Sequence, residues 1–151
     1  MTDCPGVDCI PQESSEAPLT ENGIRLLVDR FYDKVRQDAL LGPVFARAIP
    51  DDAWPAHLAT MRDFWSSVML TSGRYHGNPV AAHRRLDGIK PAHFERWLAL
   101  FGETCRELFG DKTAAAFVDK ANRIATSLQL AMFYRPENDL LAPQRKLAGR
   151  A

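Results

Sequence analysis

Four stretches of this chain repeat apolar residues at steps of three and four. That spacing lines one face of an α-helix and cannot line one face of a strand. The first stretch begins at Thr20 and holds Ile24, Leu27, Phe31 and Val35. Gly42-Pro43 then breaks the chain, leaving a short apolar stretch that contains Phe45. The acidic pair Asp51-Asp52 suits a helix start, and Trp54, His57, Leu58, Met61, Phe64, Trp65 and Val68 share the next apolar sector, through Leu70. A third helix is expected over 91–109, on Phe94, Trp97, Leu98, Phe101, Cys105 and Leu108, with Gly110 as its stop. A fourth follows at once on Ala114, Phe117, Val118, Ala121, Ile124, Ala125, Leu128 and Met132, and Arg135-Pro136 closes it. No alternating strand and no repeat period occur, so the fold class is all-α.

Between Leu70 and Pro91 some twenty residues carry a single short helical pattern. The segment TSGRYHGN leads to Asn78-Pro79, a cap followed by proline at a first helical position, and 80–86 supply about two turns before Asp87-Gly88. Loose segments of this length inside a small helical domain are usually functional or disordered. This one holds Tyr75, His76, His83 and three arginines, which is unusual content for a connector.

Length and charge narrow the function. A chain of 151 residues with 46% hydrophobic content suits one compact domain, expected over 20–135, with a flexible leader over 1–19 and a polar tail over 136–151. Nineteen basic residues balance nineteen acidic ones, which removes the electrostatic footprint of a nucleic-acid binder or a polybasic membrane reader. The start MTDCPGVDCIPQESSEAP lacks a basic n-region and an apolar h-region, and no run approaches the about 18 apolar residues of a membrane span. A cytoplasmic protein is expected. Three cysteines cannot form a disulfide framework; Cys105 falls on an apolar helical face as a small core hydrophobe, and Cys4 and Cys9 read as exposed thiols in the leader.

Several chemistries are excluded by inspection. None of the seven glutamates has a histidine three residues later, so the Glu-x-x-His pairs of a bundle di-iron site are absent. HExxH, CxxC, CxxCH, GxGxxG and the phosphate-cradling GxxxxGK[ST] are also absent. Isolated histidines and large aromatics remain. His57 precedes Met61 and Trp65 by four and eight residues, so it looks inward, as a satisfied core residue or as a ligand. His83 lies three residues from Val80 and from Leu86, either partly exposed beside Arg84 and Arg85 or functional. A buried Tyr32 hydroxyl and Trp97 indole N–H would each need a partner. His76 and His93 read as surface or helix-start residues.

Phe31-Tyr32, LGPVF, the Trp54-to-His57 helix start with its DFWS, RYHGNP leading to His83, and HFERWL stand in an order and spacing that resemble a truncated haemoglobin, most closely the third group of that family. The resemblance covers about residues 20–135. It implies a shortened globin fold, a two-over-two helical sandwich around haem b with a long loop before a short proximal helix. It further implies His83 as the proximal iron ligand, Tyr32, His57 and Trp97 as residues facing bound ligand, Phe45 against the porphyrin edge, and Met61 over the distal face.

Haem is a flat apolar body, so such a domain must leave a slot rather than fill its core. Phe31, Phe45, Met61, Trp65, Tyr75, Leu86, Trp97 and Phe101 are available for it, and Arg62, Arg74, Arg84 and Arg85 lie in segments suited to the propionates, with nothing to choose among them. The implied function is O₂ binding, also of CO and NO, with slow release enforced by the donors Tyr32, His57 and Trp97. The alternatives are peroxide or reactive-nitrogen chemistry at the same iron, fed by a reductase, and a cofactor-free helical interaction module. His57 could also coordinate ferric iron itself.

Overall fold

The computed structural model describes residues 17–133; most of the expected leader, with Cys4 and Cys9, and the expected tail over 136–151 lie outside the described residues. Six α-helices carry the described chain: α1 (Glu21–Gln37), α2 (Leu41–Ala48), α3 (Trp54–Leu70), α4 (Pro79–Arg84), α5 (Pro91–Leu108) and α6 (Asp111–Phe133), with a 3₁₀ turn at Asp51–Ala53 leading into α3. Among the described residues no helix is long and apolar enough to cross a membrane.

Local chemistry sets the helix boundaries. Thr20 caps α1 by accepting the Gly23 N–H at 3.1 Å, while Glu21 in the first turn and Lys34 and Arg36 in the last complement the helix dipole. Packing extends N-terminal to Thr20: the Ala17 N–H donates to the Leu108 carbonyl at 2.8 Å, and Ala17 and Leu19 lie against the core.

The Gly42-Pro43 break expected from the sequence is not found. Asp38 ends α1 and accepts the Leu40 and Leu41 N–H groups at 3.0 and 2.9 Å, so a new helix starts at Leu41 and Pro43 falls in its first turn. N–H groups there have no intrahelical acceptor, so proline forfeits nothing. The short helix α4 begins as expected, with the Asn78 side chain accepting the Ala81 N–H at 3.1 Å, and ends at Arg84, two residues earlier than the pattern suggested.

Helix α1 packs on α2, α3 and α5, α5 runs along α6, and α4 rests on α6. The pair α1 and α3 thus faces the pair α5 and α6. The centre is aromatic: Phe31, Trp65, Phe101 and Phe117 are fully buried, Trp65 stacks on Phe101 at a centroid distance of 4.8 Å, and Phe101 stacks on Trp97 at 5.2 Å. Cys105 is completely buried here, and burial pushes its thiol up to about 12, so it packs as an inert apolar group. Ser66, also buried, donates to Glu21 Oε2 at 2.7 Å, tying α3 to the start of α1.

The central ring of this stack is expected to dominate stability. Phe101→Ala should cost about 3–5 kcal/mol in chemical denaturation; a loss under about 1 kcal/mol would show that Trp65 and Trp97 close over the gap.

Candidate functional site

The core does not close on itself beside this stack. A cavity of about 340 Å³ lies between α1, α2, α3, the loop at Tyr75, α4, α5 and α6, and its lining is mainly apolar, including Val44, Phe45, Met61, Trp65, Leu86 and Leu128. Its polar side chains are few: Tyr32, His57, Thr60, Tyr75, His83, His93 and Trp97. Such a space, apolar with a few polar groups, is the form of a small-molecule or cofactor site.

One wall gathers donors. Tyr32 is 4% exposed, with ring centroids 5.2 Å from His57 and 5.9 Å from Trp54. Burial pushes its phenol well above the ordinary value, and interaction with the neighbouring Trp97 side chain counters part of that rise. Tyr32 therefore stays protonated and able to donate. His57 Nε2 is buried with no hydrogen-bond partner among the described residues. Burial, and then repulsion from His83, hold the His57 imidazole below its ordinary pKa. A buried unpaired nitrogen costs about 1–3 kcal/mol unless something in the cavity meets it.

The other histidine is prepared differently. His83 Nδ1 lies 2.7 Å from the Pro79 carbonyl, one turn earlier on α4. A carbonyl only accepts, so Nδ1 carries the proton and Nε2 keeps its lone pair for a ligand role. Among the described residues no three His, Cys, Asp or Glu side chains gather to hold a bare ion. A flat cofactor that brings its own metal and needs one imidazole fits this donor set.

The residues singled out from the sequence separate into groups. Tyr32, Phe45, His57, Met61, Trp65, Tyr75, His83, Leu86 and Trp97 all line the cavity. Phe31 and Phe101 do not: both are 1% exposed in the closed core, with centroids 5.2 Å from Trp97, so they brace that indole rather than touch an occupant. The four arginines are outside the lining as well, and each has a protein contact, although Arg62 Nε is buried without a partner among the described residues. Arg62 pairs with Asp29 at 3.0 Å and Arg74 with Glu21 at 3.2 Å, while Arg84 donates to the Ala131 carbonyl at 3.2 Å and Arg85 to the Ala81 carbonyl at 3.3 Å. His76 is exposed.

His93 departs from its sequence reading in one respect. It does cap a helix start, its Nδ1 accepting the Lys90 N–H at 2.9 Å, but the first turn of α5 is also cavity wall. The α6 residues Ile124, Ala125 and Leu128 were legible only as helix-face residues; which apolar face meets a cavity is a tertiary matter.

No protein-family model matches the chain. A curated relative, the group 3 truncated hemoglobin ctb of Campylobacter jejuni, is 32% identical over 117 residues, 76% of this chain and 92% of that protein. The crystal structure of group III truncated hemoglobin from Campylobacter jejuni superposes with a TM-score of 0.73 at 32% identity, covering 78% of this chain and 94% of that one. The chain belongs to the group III truncated haemoglobins. Its helices are those of a truncated globin, and membership implies haem as the cofactor. The apolar slot, the orphaned His57 nitrogen and the oriented His83 imidazole fit that group.

The depressed His57 pKa makes the haem-free chain sensitive to pH. Between the lowered native value and the ordinary 6.5, the unfolded chain binds more protons than the native one. This contribution is therefore full above about pH 6.5 and is lost as pH falls through the window below it. Denaturation of the haem-free protein between pH 5 and 7.5 should show a shallower pH slope for His57→Leu than for wild type; equal slopes would refute a buried neutral His57.

Proposed function

We propose that the cavity holds a non-covalent haem b with His83 as its single protein ligand, and that the chain binds O₂, and also CO and NO, on the His57 side. The observation that carries this reading is the pair of unlike histidines: His83 with Nδ1 spent on the Pro79 carbonyl, and His57 with a buried nitrogen awaiting a partner. When bound, haem would supply an iron able to take a small diatomic ligand, and His83 is the residue that would hold it.

The chain's own contribution is a set of fixed donors. Tyr32 offers a phenol that burial keeps protonated, and Trp97 offers an indole N–H on a ring held between Phe31 and Phe101. His57 offers an imidazole that burial keeps neutral. A hydrogen bond to a charged acceptor contributes about 1.5–3 kcal/mol, or roughly tenfold or more in release rate. The contributions do not simply add, because the donors share one small ligand. Slow release follows, which suits retention or chemistry of the ligand better than bulk transport.

A second reading, peroxide or reactive-nitrogen turnover with a reductase as electron source, is favoured by the same cluster of donors, which would polarise an O–O bond. The His83 partner limits it. A neutral carbonyl at 2.7 Å raises imidazole basicity less than a carboxylate would, so peroxidase turnover is expected to be modest.

Tyr32→Phe should speed O₂ dissociation by about tenfold or more in stopped-flow measurements; an unchanged rate would remove the phenol from the mechanism. His83→Ala should lose or weaken the intense haem absorption band that the purified wild type shows. Haem-free wild type should melt below the loaded protein, and a colourless wild type that takes up no haem would overturn the reading in favour of a cofactor-free helical module.

A further inference from the structure

Haem carries two carboxylates, and an apolar slot must deliver them to donors at its rim. None of the arginines Arg62, Arg74, Arg84 and Arg85 lines the cavity: Arg62 and Arg74 pair with Asp29 and Glu21, Arg84 and Arg85 each donate one Nε–H to a backbone carbonyl, and Arg62 Nε is buried without a partner among the described residues. Resting on the haem reading above, we infer that the carboxylate edge is received between the C-terminal end of α2 and the turn joining α4 to α5, by Arg47 and His93.

Elimination within the lining leads to His93. Tyr32, His57 and Trp97 form one cluster, and His83 has its Nδ1 committed to the Pro79 carbonyl. The Thr60 hydroxyl donates to the Ala56 carbonyl at 3.0 Å. The Tyr75 hydroxyl is folded back on its own loop, so close that a β-carbon at Gly77 would meet it at 2.5 Å. Of the donors then left without a hydrogen-bond partner among the described residues, the Tyr75 hydroxyl is turned onto Gly77 and the other belongs to His93. Its Nδ1 accepts the Lys90 N–H at 2.9 Å, which fixes the neutral tautomer with hydrogen on Nε2.

Arg47 approaches the same end from the opposite element. It stands in the last turn of α2, and its guanidinium reaches across to the α4–α5 turn, 3.9 Å from where a β-carbon on Gly88 would sit. It pairs with no carboxylate among the described residues, although nine other ion pairs form there. Gly88 has a φ of +78°, a left-handed conformation that glycine adopts without strain. Ala48 and Ile49 beside Arg47, and Ile89 beside Gly88, line the cavity, so the approach of Arg47 to Gly88 lies next to its wall. An uncommitted cation and a tautomer-fixed imidazole N–H at one end of an apolar slot match a carboxylate-bearing edge in charge and donor type.

The test uses the full chain loaded with protohaem or with its dimethyl ester, which lacks the charged carboxylates. The variants are Arg47→Ala, His93→Glu, which keeps an acceptor for the Lys90 N–H while removing the donor, and His93→Gln, which keeps both. Haem transfer to an excess of an apo-globin acceptor is followed by absorbance. With protohaem, Arg47→Ala and His93→Glu should lose haem about tenfold faster than wild type and His93→Gln should stay close to it. With the ester all four proteins should release at one rate. Equal rates with protohaem would overturn the proposal, as would the same acceleration with the ester, which would mark a purely structural role. Failure of wild type to bind either form would instead overturn the haem reading beneath it.

Discussion

Trp65, Phe101 and Trp97 stack in series at centroid distances of 4.8 and 5.2 Å, and the rest of the molecule is arranged around that column. Trp65 comes from α3 and the other two from α5, so the stack fastens the two helical layers together, with Phe31 of α1 edge-on to both Phe101 and Trp97. Aromatic contacts add roughly 0.5–1.5 kcal/mol each beyond the area they bury. Their geometry matters as much as their energy. Trp65 and Trp97 face the cavity while Phe101 and Phe31 fill the space behind them, so part of the cavity wall is the outer surface of a close-packed solid. A polar group carried on such a wall holds its direction without loop closure.

Two histidines, on α3 and α4, line the same cavity. They differ through their surroundings, not their type. His83 sits on a six-residue helix where the Pro79 carbonyl is within reach of Nδ1. His57 sits on the long helix α3 among Tyr32 and Trp54, where burial removes water without supplying a replacement for it. One is a prepared lone pair, the other an unmet nitrogen, and the repulsion between them favours the neutral state of His57.

The surface contributes little to this. Lys34 reaches Glu103 and Glu107, both at 2.7 Å, and Arg96 reaches Asp38 at 2.8 Å, so ion pairs stitch α1 to α5. Exposed pairs of this kind are each worth about 0–1 kcal/mol. Asp38 is the exception in importance, because the same carboxylate also accepts the N–H groups that open α2; those hydrogen bonds and Arg96 hold its pKa low against the opposing effect of burial. The zero net charge of the chain is consistent with the proposed binding of uncharged diatomics, which gain nothing from electrostatic steering.

The sequence by itself determined the helices and most of the residues that line the cavity. Apolar spacing is a local property, and an unusual stretch such as 71–78 without helix announces itself by composition. Even so, Gly42-Pro43 misled, because whether a proline breaks a helix or opens one depends on the preceding residue, and only the Asp38 side chain folded onto Leu40 and Leu41 decides it. Depth was equally illegible: Phe31 and Phe101 carry the same pattern as Trp97 yet lie one layer further in. The partners of Arg62, Arg74, Arg84 and Arg85, and the reach of Arg47 to Gly88, depend on which helices meet. Periodicity marks the face of a helix that turns inward. Whether that face meets another side chain or an opening is decided by packing between segments distant in the chain, and the functional site forms where that packing leaves space.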